Sequence, residues 1–400
     1  MKSNFAINIR KHFIPIITNK WILTLVFVLA CFIVSWQSIH LGPKDFWNGT
    51  YTHYNNYVIF KYAYPHLVEN LNLYLYYPEE YADLYKYSPT FALFMAPFYW
   101  LPDTVGLFLW IALNIFVPVY AIFTFPKLRD EFKGFLLLCI ATEIILSVQN
   151  EQSNGLLVGL TILAFNMLEK NKPNYAALFI ILGAYIKIYS LLGCLLFLFY
   201  PGKLKAAWSF VVYGLILFLL PIIVIEYPDL IQQYKNWYVL LKNDENASIG
   251  MSLLLYVNEF SSSDIAKKAT MLFGLALLST PLIYYKKYTN YQFRVLYLAF
   301  ILIWMVVFNH KAESPTFVIA MAGIGIWFLN SNRNGYQYLL FIGSILFTSL
   351  WFTDLIPAQF KNGLLDRNYV KQFFPILCLL AIYVELLVMK QTELIKPENT

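Results

Sequence analysis

Charge is scarce in this chain. Only 13% of its 400 residues are Asp, Glu, Lys or Arg, against about 25% in a soluble globular chain, which leaves too little charge to cover a wetted surface. Cysteine is scarce too. Cys31, Cys139, Cys194 and Cys378 all lie inside apolar stretches, where they read as small buried hydrophobes and argue for neither disulfides nor a metal cluster. There are five histidines, no His/Cys ligand spacing and no DxD-like acidic pair, so no metal or other cofactor is expected. The net charge of +6 is scattered over the ends of apolar stretches, which excludes a nucleic-acid-binding surface and leaves no nucleic acid among the expected partners. No convincing internal repeat is present, and the ~10-residue alternating segments of a transmembrane barrel are missing.

What the chain has is apolar length. It is 59% hydrophobic and 19% aromatic, with a mean hydropathy of +0.57. Apolar stretches of about 15–22 residues recur from Trp21 to Met389, the length a hydrocarbon core of about 30 Å asks of a helix. The composition predicts one all-α, polytopic membrane domain over residues 1–400, because a helix satisfies its own backbone polar groups in lipid. About 12 spans are expected, near 21–40, 104–124, 134–148, 154–169, 174–188, 189–202, 205–226, 268–284, 292–309, 314–330, 336–353 and 370–390. The apolar part of the first is too long for a cleavable signal and reads as an uncleaved anchor.

The loops rich in Lys and Arg, from the N-terminal segment and "PKLRDEFK" to "YYKKYTNYQFR" and the C-terminal tail, belong on the cytoplasmic side. With both termini inside, the span number is even, and residues 174–202 must go out and back in two short limbs that turn at Lys187. The stretch 88–101 reads as a re-entrant or interfacial helix, with a thirteenth span as the alternative. Five polar segments then share the outer side: 41–103, 148–155, 185–190, 227–267 and 309–315. The first outer loop, 41–103, is dense in aromatic residues and is expected to carry interfacial helices, notably over "YNNYVIFKYAYPHLV". Its rings suit either sugar faces or lipid headgroups. The second, 227–267, repeats apolar residues at helical spacing and predicts a surface helix.

Ionisable residues at membrane depth are expensive to bury. Glu143 and Glu385 read as protonated or hydrogen-bonded inside the bundle, and Asn150, Glu151 and Gln152 read equally well as the cap of a turn. Lys187, His310 and Lys311 each taken alone could be interfacial anchors. Together with Lys86 they are cations on one predicted side, and clustered cations suit a phosphate group.

Four segments in order, "YNNYVIFKYAYPHLVENLNLYLYYPEEYADLYKYSPTFALFMAPFYWLP", "QNEQSNGLLVGL", "GAYIKIYSLL" and "NHKAESPTFVIA", resemble glycosyltransferase family 87 over residues of about 40 to 330. That family comprises polyprenyl-phosphate-sugar-dependent membrane enzymes of the GT-C fold, related to bacterial mannosyltransferases. The resemblance implies an inverting, metal-independent transfer of a sugar from a polyprenyl-phosphate donor to a lipid or glycan acceptor. It further implies the outer (periplasmic) face of a bacterial cytoplasmic membrane, with membrane lipids as surroundings. The family's acidic base stands four residues before the tyrosine matching Tyr57, and here that position is His53. Either His53 is the base, or Asp45 reaches in, or the protein is altered or inactive. By the same resemblance Lys86, Lys187, His310 and Lys311 face the donor phosphate. Asn55, Asn56, Asn150 and Gln152 contact the sugar, and Glu313 orients a neighbouring cation. The competing reading from another class is a transporter or flippase for a lipid-linked or anionic substrate, with its site at Lys187.

Overall fold

In the computed structural model, residues 15–47, 49–244, 249–351, 353, 355–357 and 367–390 are described. The basic N-terminal segment, most of the C-terminal tail and the middle of the "NDENASIG" loop lie outside them, as does the side chain of Arg367.

Helix α1 (Lys20–His40) starts at Asn19, whose side-chain oxygen accepts from the Trp21 and Ile22 amides and so satisfies two otherwise orphaned donors. It ends where the chain turns extended before Gly42-Pro43. The first long loop opens with a small antiparallel hairpin, β1 (Lys44–Phe46) and β2 (Gly49–Tyr51), absent from the all-helical expectation. Helix α2 (Asn55–Val68) covers the stretch expected to be helical, and more than half of its residues are buried, so it packs into the protein. Two short helices follow, α3 (Pro89–Phe94) and α4 (Ala96–Tyr99), over the segment expected to be re-entrant or interfacial.

The bundle proper comprises α5 (Asp103–Phe123), α6 (Asp130–Gln149), α7 (Asn154–Glu169) and α8 (Pro173–Ile186). A 3₁₀ helix over Ile188–Phe199 comes next, then α9 (Lys203–Leu219). The wider rise of a 3₁₀ helix, about 2.0 Å per residue, lets those 12 residues cover about 24 Å, which is how so short a limb travels most of a hydrocarbon core. The 227–267 loop, expected to be the second outer one, carries α10 (Tyr227–Asp244) and α11 (Leu253–Phe260). The remaining helices are α12 (Asp264–Ser279), α13 (Tyr291–Val307), α14 (Phe317–Asn330), α15 (Gly335–Gly343), which runs on as a π-helix to Leu350, and α16 (Arg367–Val388).

Among the described residues, five helices are long and apolar enough to cross a membrane, starting at Lys20, Asp103, Lys203, Asp264 and Asn368, and six shorter apolar ones accompany them. The outward faces of α1 and α9 present large apolar side chains such as Trp21, Leu29, Trp208 and Leu215, which belong against hydrocarbon. The chain is a multi-pass membrane protein.

Helices α13 and α14 form the centre, buried over almost their whole length. In lipid there is little hydrophobic gain in packing one helix on another, so close approach and dispersion hold them together. Gly155 and Gly159 on α7 show this: a Cβ on either would come within 2.3 Å and 2.6 Å of the α5 backbone.

The junctions between successive helices gather at two ends. At one end Glu169 accepts from Arg294 at 2.6 and 3.2 Å and from the Tyr200 hydroxyl at 2.6 Å, joining the ends of α7, α13 and the 3₁₀ helix. Described basic loops meet there: Lys127 lies 4.0 Å from Glu169, and Arg294 donates to the Tyr288 and Thr289 carbonyls. Inside the bundle Glu385 accepts from Trp327, Tyr336 and Gln337. Glu143 pairs with Lys371 at 2.8 Å, both fully buried. A buried carboxylate in lipid needs such partners, and Lys371 was not singled out as one.

Candidate active site

The opposite end holds a cavity of about 750 Å³. Its walls come from the 41–103 loop, the α6–α7 turn, the α8–3₁₀ link, α10, and the α13–α14 turn. Each wall has a local reason for its shape.

The α6–α7 turn, residues 150–153, reverses at Glu151, which adopts a left-handed backbone (φ +48°). The Gln152 amide donates to the Ser147 carbonyl at 3.0 Å. The Trp110 indole donates to the Glu151 carbonyl at 2.7 Å, and the Asn114 side chain accepts from the Leu156 amide at 3.1 Å. Helix α5 thus holds the turn from below.

Lys187 is the extended residue that closes α8. Its ammonium donates to the Asn154 side-chain oxygen at 2.8 Å and to that of Gln152 at 3.2 Å. Lys187 lies in the link between helices, and burial lowers its ammonium to about 8 against a smaller opposing pull from the Glu313 carboxylate.

Lys86 and Tyr87 precede the cap of α3. The Trp237 indole donates to the Lys86 carbonyl at 3.1 Å and the Tyr74 hydroxyl to the Tyr87 carbonyl at 3.0 Å, so main-chain anchors set the lysine's position. Its ammonium lies 3.5 Å from Asp83 and 3.7 Å from Asp244.

The α13–α14 turn is a compact unit. Asn309 accepts from the Lys311 amide at 3.0 Å, and Glu313 and Thr316 cap each other across Pro315. From the second outer loop, the Gly250 amide donates to the His310 carbonyl at 2.6 Å and the Met251 amide to the Ala312 carbonyl at 2.7 Å. Lys311 reaches Asp244 at 3.7 Å.

Lys86, Lys187, His310, Lys311, Asn55, Asn56, Asn150, Gln152, Glu313 and His53 all contribute to the cavity lining. Asn55 does so as a clamp: its amide group exchanges two 2.9 Å hydrogen bonds with the Ala82 backbone. Asn56 donates to the Asn150 carbonyl at 2.9 Å, which ties α2 to the α6–α7 turn. Burial, with some help from the nearby Lys44 cation, lowers the His53 imidazole below its ordinary value and favours the neutral form that can accept a proton.

Asp45 is placed differently. Side chains alternate across a strand, so Lys44 and Phe46 line the cavity while Asp45 between them does not. Its carboxylate instead accepts from the Thr50 hydroxyl at 2.7 Å on an exposed face of the hairpin.

Several site residues were not singled out from the sequence. Asn154, which accepts from Lys187 without lining the cavity, was read only as the start of a span, and Lys44 and Asp244 only as parts of the two long loops. Glu151 was read as a turn cap. It also lines the cavity, its Oε1 atom has no hydrogen-bond partner, and burial raises its carboxyl well above the usual carboxylate range. One flank of the cavity is apolar, formed by Ile186, Ile188, Leu241, Met271, Met305 and Phe308. Among the described residues no group of three or more His, Cys, Asp and Glu side chains is arranged to hold a metal ion.

A cavity that joins cations, amide side chains and a neutral imidazole beside an apolar flank suits a substrate that is part anion, part polyol and part hydrocarbon. No curated protein matches the chain by sequence. The family model described as glycosyltransferase family 87 matches residues 85–343, well over half of its length and all but one of the cavity's walls: the chain belongs to glycosyltransferase family 87.

Proposed function

We propose that this membrane glycosyltransferase takes its sugar from a polyprenyl-phosphate donor and passes it, with inversion, to a hydroxyl of a lipid or glycan acceptor. The observation that carries the reading is the convergence of Lys86, Lys187, His310 and Lys311, from three separate segments, on one cavity with an apolar flank. Four cationic or donor side chains meet a phosphate, and the flank meets the first isoprene units.

The step follows from that arrangement. The acceptor oxygen attacks the anomeric carbon while the bond from that carbon to the phosphate oxygen breaks. The bonding pair leaves with the polyprenyl phosphate, whose new negative charge is met by the lysines and His310. The acceptor proton passes to His53, which is poised to take it near neutral pH. Asn150, Gln152, Asn55 and Asn56 serve the sugar or hold the groups that do, and Glu313 balances Lys187. The reading takes a GT-C arrangement of about twelve spans with this cavity at the outer face of a bacterial cytoplasmic membrane, and the basic loops at the other end support it.

The test is transfer by purified protein in lipid nanodiscs from a panel of polyprenyl-phosphate sugars to extracted membrane lipids, with the anomeric configuration of the product read by NMR. Transfer with inversion, abolished by His310→Ala, is expected. Transfer from nucleotide sugars alone, or turnover untouched by both His310→Ala and Lys311→Ala, overturns the donor assignment.

A further inference from the structure

Lys86 and Lys311 share one counterion. The Asp244 carboxylate stands 3.7 Å from Lys86 Nζ through Oδ1 and 3.7 Å from Lys311 Nζ through Oδ2. All three line the cavity. Both separations exceed direct hydrogen-bond reach, so Asp244 offsets the lysines' charge without occupying their N–H donors. Its side chain is only 22% exposed, which limits screening by solvent. Asp83, the other carboxylate beside Lys86, is 57% exposed and touches that lysine alone.

Asp244 is the last described residue of α10, and among the described residues the cations its carboxylate faces are these two lysines. Its place is explained by what it faces. Asp244 takes one unit from the positive charge that Lys86 and Lys311 present to a phosphate, while the more exposed Asp83 takes a smaller, solvent-screened share from Lys86 alone. A polyprenyl-phosphate sugar is a phosphodiester with one negative charge. The polyprenyl phosphate left after transfer is a monoester, whose second ionisation falls near pH 6, so at neutral pH it carries close to two.

We propose that Asp244 is a charge-matching specificity residue: it makes the Lys86–Lys311 site prefer a singly charged lipid phosphodiester and pushes out the doubly charged lipid phosphomonoester that the reaction leaves behind. This rests on the reading that the donor phosphate sits at these two lysines. The carboxylate tolerates the incoming donor, and the charge released as the glycosidic bond breaks appears beside it. Spent carrier is then expelled instead of holding the site.

The experiment measures binding at pH 7.5 to wild type and Asp244→Asn in nanodiscs. The probes are farnesyl phosphate, a monoester, and methyl farnesyl phosphate, a diester, followed by calorimetry. Asn keeps the shape of Asp, Asp244→Ser serves as the second variant, and unchanged thermal midpoints establish that both fold. The expected result is that either substitution tightens the monoester about tenfold and the diester less than threefold. Equal tightening of both ligands, no change, or weaker monoester binding overturns the proposal. Inorganic phosphate forms a third arm and should bind at least tenfold more weakly than farnesyl phosphate, and equal binding overturns the assignment to a lipid phosphate. If neither farnesyl ligand binds wild type, the donor-phosphate reading itself fails and takes this inference with it. If both bind and only the discrimination is unmoved, the fault lies with Asp244 alone.

Discussion

The Lys187 ammonium donates to the Asn154 side-chain oxygen at 2.8 Å, joining the α8–3₁₀ link to the first residue of α7. With the longer bond to Gln152 at 3.2 Å, this bond aims a cation carried on four flexible methylenes. Asn154→Ala is therefore expected to raise the donor KM several-fold and to lower kcat less. Asn154→Asp would hold Lys187 in place but add a charge opposed to the phosphate, so it should be the worse of the two. Steady-state kinetics on both variants check this.

The Lys187 ammonium is charged at low pH and loses its charge as pH rises through about 8, since burial has lowered it from 10.5. Turnover that depends on this cation is expected to fall on the alkaline side of about pH 8. Lys187→Arg, whose guanidinium stays charged, should move that limb upward even if its maximum rate is lower. A pH–rate profile with an unchanged alkaline limb in Lys187→Arg would remove Lys187 from the reaction.

His53 gives the opposite limb. Its value is lowered from 6.5, so the neutral, proton-accepting form prevails above that pH and is lost as the medium turns acid. His53→Gln is expected to lower kcat by about 10²–10⁴ with little change in KM. Asp45→Asn, altering a carboxylate turned away from the cavity, should stay within about threefold of wild type. A larger loss in Asp45→Asn than in His53→Gln would exchange the two roles.

The buried pair Glu143–Lys371 supports the bundle and does not line the cavity. Removing one member strands the other's charge, so Glu143→Ala or Lys371→Ala is expected to cost about 3–5 kcal/mol. Replacing both with Met should recover most of that. Thermal unfolding in detergent of the two single variants and the double variant measures the coupling.

Gly250 lies against the α13–α14 turn, where an added Cβ would meet the Ala312 carbonyl oxygen at 2.4 Å. Gly250→Ala must push that turn away from α10, and with it His310 and Lys311. At least a tenfold loss of kcat/KM is expected with the thermal midpoint nearly unchanged, since the contact lies at one end of the bundle. An active Gly250→Ala would mean the second outer loop does not support the site.

Much of this was legible in the sequence because lipid makes polar residues conspicuous. "NHKAESP" and the lysine of "YIKIYS" interrupt apolar runs, and a charge at that depth is costly enough to stand out in one dimension. The basic loops likewise marked one end of the bundle. What escaped were relationships carried by the third dimension. Asp244 gains its meaning from lysines on two distant segments, and Glu143 finds Lys371 228 positions away. Asn154 faces Lys187 only because α7 and α8 run side by side. The β1–β2 hairpin was hidden because its strands have three residues each, too few for an alternation to register. Its pleat nevertheless decides that Lys44, and not Asp45, looks into the cavity.

Two main-chain hydrogen bonds, Gly250 to His310 and Met251 to Ala312, bind the turn at 310–312 to the 227–267 loop, beside the Lys311–Asp244 pair. A scaffold of that kind is indifferent to which side chains it carries. Exchanging His310 or Lys311 for other residues leaves the stitching untouched, so a panel of replacements there reports on chemistry instead of on collapse. The same indifference lets a lineage rewrite the specificity of this rim one residue at a time without first rebuilding the frame beneath it.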